Sequence, residues 1–152
     1  MTHVALAIAT VFGTGYAPYA PGTFGSAAGL VIWWLLPSTV STAGLAIVVT
    51  FVLGSWSGSV AERHFRGTDP GPVVIDEVLG MLITLFMNPV GVVGAVLGFF
   101  LFRAADIVKP YPANKLEELH GGVGIMADDA MAAVYANLLL RGAYHLAPGW
   151  MS

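Results

Sequence analysis

Met87-Asn88-Pro89-Val90-Gly91 interrupts the long apolar stretch in the middle of this chain and decides how its helices are arranged. Asn is a favourable helix N-cap, Pro suits the first helical position, and helices tend to end before a proline. The segment therefore predicts two antiparallel helices, over residues 73–87 and 89–106, each about 25 Å long at roughly 1.5 Å per residue. The alternative is one proline-kinked helix, which would place the charged residues on either side of it across a membrane from each other. We favour the hairpin, which returns them to the same end.

Other apolar segments predict further helices on both sides of this hairpin. Glycine and proline mark the loops between them, because these residues break helical geometry. The first apolar segment is too short to cross about 30 Å of hydrocarbon, and whether it enters a membrane stays open. The predicted segments are a short helix over residues 4–12, a loop over 13–26, helices over 26–36 and from Ser38 or Ser41 to Arg66, a short polar helix or loop over 114–120, a turn over 121–124 and a last helix over 125–146.

The composition is that of an integral membrane protein with one domain over residues 1–152. Hydrophobic residues make up 57% of the chain, against six Lys and Arg and nine Asp and Glu, and the mean hydropathy is +0.78. The absence of cysteine excludes disulfides, zinc–thiolate sites and cysteine-nucleophile phosphatases. A net charge of −3 argues against nucleic-acid binding. The N-terminus lacks the basic region and cleavage site of a signal peptide, so we expect Met1 to be kept.

The charged residues fall on one side of this predicted bundle. Five of the six Lys and Arg residues lie in the connections on that side, and cytoplasmic loops carry an excess of these residues. The prediction is an all-α integral membrane helical bundle with polar active-site loops on one, cytoplasmic, side. Several charged residues are expected to form no more than a solvated face: Glu62, Arg63, His64, Arg66, Glu117 and Glu118.

Asp76-Glu77 is the first candidate for chemistry, because it lies between Ile75 and Val78 among apolar neighbours. Two acids in the first turn of a helix are also favoured by the helix dipole alone. Charged residues beside apolar helices are costly, however, and are usually functional. We interpret the pair as metal ligands.

Arg103, Asp106 and Lys109 recur every three residues at the end of the second hairpin helix. Arg103 and Asp106 share a helix face, which suits either an internal ion pair or a site. Pro110 and Pro112 stiffen the loop that presents the Lys109 ammonium. Arginine binds phosphate in a fork and lysine binds it as a point charge, so both cations are candidates for phosphate binding.

Asp128 and Asp129 open the last predicted helix after a glycine-rich turn. One of them can act as an N-cap while the other reaches the site, because consecutive helix residues point about 100° apart. The glycines allow close backbone approach, and Gly122 can offer its N–H group to an anion.

The segment Pro21-Gly22-Thr23-Phe24-Gly25-Ser26 leads into a helix N-terminus, where amides and hydroxyls favour anions. A plain turn and cap is the equal alternative; Thr23 and Ser26 are the candidate phosphate contacts. Oxygen-only ligands fit a hard cation such as Mg²⁺, which bridges to substrate phosphate. A membrane setting makes a lipid phosphate the natural substrate. The candidate metal ligands are Asp76, Glu77, Asp106, Asp128 and Asp129.

Four segments, in order, resemble the phosphatidylglycerophosphatase A family. The resemblance implies an all-helical fold, Mg²⁺ dependence, an inner-membrane location, a site facing the cytoplasm, and hydrolysis of phosphatidylglycerophosphate to phosphatidylglycerol and phosphate. Asp76, Glu77, Asp106, Lys109, Asp128 and Asp129 match polar positions of the family, and all of these except Asp128 are predicted to be catalytic. The four segments are residues 21–26, residues 75–80, residues 102–112 and residues 121–129.

Other mechanisms and functions make different demands on the sequence. A histidine-nucleophile lipid phosphatase uses a Pro-Ser-Gly-His segment and the aspartyl-phosphate class uses Asp-x-Asp after a strand; neither occurs here. We therefore prefer direct attack by a metal-activated water. The rival function is a non-enzymatic membrane protein, either an ion-coupled transporter or an assembly subunit. A transporter would place its acids near the bilayer midplane, whereas these acids lie at helix ends. Oligomeric state, acyl-chain preference and the number of metal ions stay open.

Overall fold

The computed structural model describes residues 1–116 and 118–151, which form helices and turns without a strand, so the all-α prediction is confirmed. A 3-10 turn at Thr14–Tyr16 interrupts the loop after the first helix. The α-helices are α1 Thr2–Ala9, α2 Pro21–Leu35, α3 Val40–Phe65, α4 Ile75–Leu85, α5 Val92–Val108, α6 Ala113–Leu116, α7 Gly122–Leu146 and α8 Pro148–Met151.

The helical hairpin at the middle of the chain is confirmed, although its helices are shorter than predicted. α4 and α5 are separate and pack against each other. The prediction that Asn88 caps α5 is wrong: α5 begins at Val92, and Gly91 precedes it with its amide on the Met151 carbonyl at 2.7 Å. The Asn88 side chain turns back instead and donates to the carbonyl of Thr84 at 3.0 Å, closing the end of α4.

α4 is the central helix of the molecule. It packs against α2, α3, α5 and α7, and Leu79, Met81 and Leu85 on it are fully buried. Its 11 residues extend only about 16 Å, short of the roughly 30 Å that a membrane core requires. α4 is therefore an interior helix that other helices surround.

Two of the described helices, α3 and α7, are long and apolar enough to cross a membrane by length and composition. Within its most apolar window only 22% of α3 is buried. Val48, Val52 and Trp56 on α3 are exposed, as are Leu138 and Leu139 on α7. Apolar faces of this kind favour contact with lipid over contact with water.

α2 begins at Pro21, five residues before the predicted start at Ser26. Proline is favourable at the first helical position, and Gly25 and Gly29 let the helix lie against α4 and the residue before it. A side chain on Gly25 would meet the Val74 side chain at 2.8 Å, and one on Gly29 would meet Met81 at the same distance. The loop prediction for residues 21–26 is wrong: the segment is the start of α2, and Gly25 within it packs against Val74.

The starts of α3 and α7 also differ from prediction. Thr39 caps α3 by accepting a hydrogen bond from the Thr42 amide at 3.2 Å, so neither Ser38 nor Ser41 is the cap. α7 begins at Gly122 rather than residue 125, and the Gly122 amide donates to Ser59 Oγ on α3 at 2.8 Å. Asp128 and Asp129 therefore lie in the second turn of α7, and the prediction that one of them caps it is wrong.

Candidate active site

The carboxylates of two buried residues, Asp76 and Asp129, and of the half-buried Glu77 meet inside the bundle. One oxygen each of Asp76, Glu77 and Asp129 lies within 4.8 Å of the other two. Each residue also carries a buried oxygen with no hydrogen-bond partner among the described residues: Asp76 Oδ1, Glu77 Oε2 and Asp129 Oδ2. A buried acceptor without a partner is costly, and a cation at their centre would satisfy all three. The residues therefore fit a small, oxygen-preferring metal ion.

The acids repel one another in the absence of such a cation. Burial raises the pKa of Asp76 well above its ordinary value, and the charges of Glu77 and Asp129 raise it further. Burial likewise raises the pKa of Glu77 to about 7, while a hydrogen bond from Asp76 and the charge of Arg103 oppose the rise. A divalent cation removes this penalty because it favours the charged form of each ligand.

Arg103 forms ion pairs at the edge of this cluster. Its Nη1 lies 2.6 Å from Asp106 Oδ2 and 3.7 Å from Glu77 Oε1. The interpretation of Arg103 and Asp106 as an internal ion pair thus describes their geometry, and the same guanidinium also touches a predicted metal ligand. Asp106 lies close enough for its charge to raise the pKa of Glu77. Its position is beside the three central acids rather than among them.

Lys109 ends α5 and points back to α7. Its backbone is left-handed, with φ of 46°, which stops the helix before Pro110. Its Nζ lies 2.8 Å from Oδ2 of Asp128, which is only 4% exposed. The two adjacent aspartates of α7 therefore divide: Asp129 faces the three-acid cluster and Asp128 faces Lys109.

The N-terminus of α2 touches the same cluster through Gly22. A side chain there would overlap the Glu77 carboxylate and stand 2.9 Å from Arg103 Nη1. Thr23 follows it and is exposed. Ser26 is fully buried and its hydroxyl donates to the Gly22 carbonyl at 2.9 Å. This hydrogen bond gives Ser26 a role in the helix itself, so of the two predicted hydroxyls only Thr23 faces outward.

Gly122 lies at the contact between α7 and α3. Its amide is engaged by Ser59 Oγ, and its backbone lies directly against Ser55 and Ser59 of α3. This amide helps pack α7 against α3, and the phosphate contact of Gly122 stays a prediction.

A cavity of about 200 Å³ opens beside Asp128. Asp69, to which sequence reasoning gave no role, lines it, and the charge of Asp69 contributes to the raised pKa of Asp76. An aspartate in the turn Gly67-Thr68-Asp69-Pro70-Gly71, seven residues before Asp76, was the available signal. The cavity is lined by Glu62, Thr68, Asp69, Leu119, Gly124, Ile125 and Asp128.

The predicted solvated face is confirmed for four of its residues, whereas a fifth is partly buried. Arg63, His64, Arg66 and Glu118 are exposed. Glu62 is half-buried and lines the cavity. Glu117 lies outside the described residues.

Comparison with known proteins identifies a family and several relatives, all with names that denote lipid phosphatases. Residues 7–144 match the family model described as Phosphatidylglycerophosphatase A. A Bacteroides thetaiotaomicron protein, provisionally named a phosphatidylinositol-3-phosphatase, is 41% identical over 88% of this chain and 89% of its own length. A protein named phosphatidylglycerophosphatase A from Escherichia coli is 34% identical, covering 95% of this chain and 87% of its own. One of the same name from Haemophilus influenzae is 35% identical, covering 88% and 84%. No solved structure matches the chain significantly.

Proposed function

Because the chain belongs to the phosphatidylglycerophosphatase A family and is a phosphatase, we propose that it removes the terminal phosphate of phosphatidylglycerophosphate with Mg²⁺ as cofactor. The products are phosphatidylglycerol and inorganic phosphate. One observation supports this activity above the others: three carboxylates lie beside two cations at one end of the bundle, and each has a buried oxygen without a partner among the described residues.

Asp76, Glu77 and Asp129 are the proposed ligands of the metal, with Asp106 and Asp128 at its edges. Mg²⁺ suits this set because it takes oxygen ligands, keeps several waters and binds through few carboxylates plus substrate phosphate. When bound, it supplies charge neutralisation of the phosphomonoester and a lowered pKa for an attacking water.

The chain's own cations bind and orient the phosphate in this proposal. Lys109 pairs with Asp128, which lines the cavity beside the site. Thr23 lies near the N-terminus of α2, the positive end of its helix dipole. Arg103 holds Glu77 and Asp106, and so keeps the ligands in place. The water oxygen bonds to phosphorus, the bond to the head-group oxygen breaks, and that oxygen takes up a proton.

The exposed apolar faces of α3 and α7 support a location in a membrane. We propose a multi-pass protein of the bacterial inner membrane, with the acidic end facing the cytoplasm and with membrane lipids as neighbours. A lipid phosphate then reaches the site sideways, with its acyl chains still in the bilayer.

Phosphatidylinositol 3-phosphate is a second candidate substrate, because the Bacteroides relative carries that activity in its name. Both lipids present a phosphate monoester on a hydroxyl-bearing head group. The same site chemistry serves either, and a direct comparison of turnover on the two lipids decides between them.

Phosphate release from phosphatidylglycerophosphate by the purified protein is the decisive assay. We expect release with millimolar Mg²⁺, loss of release with EDTA, and recovery when Mg²⁺ is restored in excess. Metal removal acts because the three carboxylates lose the cation that lets them bind an anionic substrate. An absence of release with Mg²⁺ on both candidate lipids contradicts the enzyme and leaves the transporter or assembly subunit.

Replacing Lys109 and Arg103 separates phosphate binding from support of the metal ligands. For Lys109→Ala we expect a raised KM with an unchanged Mg²⁺ requirement, because its ammonium is proposed to contact the phosphate. For Arg103→Ala we expect a higher Mg²⁺ requirement and partial rescue by excess Mg²⁺, because Glu77 and Asp106 lose their common partner. Identical Mg²⁺ dependence in Arg103→Ala and wild type would assign Arg103 to the phosphate instead.

Single cysteines test which side of the membrane the site faces. The chain has no native cysteine, and Gly71, Met87 and Asn114 are exposed. A membrane-impermeant thiol reagent should miss Gly71→Cys and Asn114→Cys in intact cells and modify both in opened cells. Met87→Cys, at the other end of the hairpin, should react in intact cells. Labelling of only one of the first two in intact cells contradicts a shared cytoplasmic face.

A further inference from the structure

Two contacts tie the loop after α5 to one face of α7. Lys109 Nζ meets Asp128 Oδ2 at 2.8 Å, and the Tyr135 hydroxyl donates to the backbone carbonyl of Tyr111 at 2.6 Å. Asp128 and Tyr135 are seven residues apart on α7, which is close to two helical turns and places them on the same face. The loop is thus held at its start and again two residues later.

The geometry points to Tyr135 as a positioning residue for Lys109. We infer that its hydroxyl fixes the height of the loop along α7 and so places the Lys109 ammonium at the substrate phosphate. This inference rests on the proposed function, since it assigns Lys109 the phosphate. It adds a residue that lies in none of the four segments on which the family resemblance depends.

Lys109 is the last residue held by the hydrogen bonds of α5, and the loop beyond it depends on other contacts. Its amide still donates to the Ala105 carbonyl at 2.8 Å, but its left-handed backbone ends α5, and the loop beyond it is next held by the hydrogen bond from the Ala113 amide to the Pro110 carbonyl at 2.8 Å. Lysine carries its charge on a flexible four-carbon stem, and its position depends on the backbone that bears it. Pro110 has a fixed φ angle, which removes one of the backbone rotations between Lys109 and the Tyr111 carbonyl, so the position of that carbonyl influences the position of Lys109.

Tyr135 itself is too far along α7 to act on the phosphate. It lies six residues beyond Asp129, about 9 Å along the helix. Its hydroxyl proton is engaged by the Tyr111 carbonyl. Its effect on the reaction therefore passes through the loop, and the metal ligands on α4 and α7 do not depend on it.

Tyr135→Phe tests the inference because it removes only the hydroxyl. We expect KM for phosphatidylglycerophosphate in mixed micelles to rise about three- to tenfold, the range that one ordinary hydrogen bond covers. The turnover number and the Mg²⁺ concentration for half-maximal rate should stay within twofold of wild type. Tyr144→Phe is the matched control on the same helix, where the ring packs edge-on to His145 at 6.2 Å, and its KM should not change.

A double-mutant cycle with Lys109→Ala distinguishes positioning of Lys109 from a general structural role, because only positioning makes the effect of Tyr135→Phe on KM depend on Lys109. If Tyr135 acts through Lys109, Tyr135→Phe raises KM in the wild-type background and adds no more than twofold in the Lys109→Ala background. Equal effects in both backgrounds, or an unchanged KM in the single variant, overturn the inference. Failure of the wild-type protein to release phosphate contradicts the proposed function instead, so the two failures are distinct.

Discussion

Asp76→Asn and Asp129→Asn are each expected to lower phosphate release by roughly a hundredfold or more, since even residues that only support a metal ligand commonly cost 10- to 100-fold. Asparagine keeps the size of the side chain but removes the charge that a divalent cation needs. Both residues belong to the three-acid cluster, and each offers it an oxygen that no described residue hydrogen-bonds. Phosphate release at saturating lipid over a Mg²⁺ titration measures the effect.

Loss of folding is the alternative explanation for such a result, and the charges predict the opposite. Asp76 is buried beside Glu77 and Asp129, and this environment penalises its charged form. Removing that charge should leave the melting temperature of the metal-free protein unchanged or higher. Mg²⁺ should raise the melting temperature of the wild type and raise it less in the variants, because a ligand stabilises a fold only as far as it binds.

Variants of two further carboxylates serve as an intermediate case and as a control. Asp106→Asn should also lose activity, but less than Asp76→Asn, because Asp106 lies at the edge of the cluster and is held there by Arg103. Glu118→Gln removes an exposed carboxylate whose partner is Lys115 and should retain full activity. Wild-type activity in both Asp76→Asn and Asp129→Asn would rule out the metal site.

The sequence predicts the helical hairpin and the acidic cluster well because each depends on strong local signals. Asn88-Pro89 breaks an apolar run whatever surrounds it, and the break brings Arg103 back to Glu77. Acids are so few in this chain that Asp76, Glu77 and Asp129 stand out by their rarity alone. Patterns of this kind need no knowledge of the tertiary structure.

Helix starts and individual partners were not predictable, because they depend on contacts between distant residues. α7 begins at Gly122 because Ser59, 63 residues earlier, accepts its amide hydrogen bond. Asn88 is an obvious cap by its position in the sequence, yet its side chain binds the end of α4 and the Asn137 carbonyl of α7. Local propensity is overridden in both cases by tertiary packing.

The division between Asp128 and Asp129 illustrates the same limit at the site. Both are adjacent acids in a glycine-rich context, and the sequence shows that they point in different directions. Only the position of Lys109, set by the left-handed end of α5, decides that Asp128 faces the cation. The role of Asp69 was not predictable, because its turn lies outside the helices that carry the acids and only folding brings it to the site.

Gly122→Ala is expected to cause the largest loss of stability of any single methyl addition proposed here. The new Cβ would overlap the Ser55 carbonyl and stand 2.7 Å from the Ser59 amide nitrogen. Both are backbone atoms of α3, so no side-chain rotation relieves the contact. Overpacking of this kind costs about 1–3 kcal/mol, and each kcal/mol lowers the melting temperature by about 2–4 °C in a chain of this size.

Activity should fall with stability in this variant, because the start of α7 carries Asp128 and Asp129 to the site. Gly142→Ala is the matched control near the other end of the same helix, where no described atom lies within 4 Å of the added carbon. An alanine there should keep activity and raise stability slightly, since alanine favours a helix interior over glycine by about 1 kcal/mol. If Gly122→Ala has the same melting temperature and the same rate of phosphate release as Gly142→Ala, the close approach of α3 and α7 is wrong. The position of Asp129 opposite Asp76 is then wrong as well.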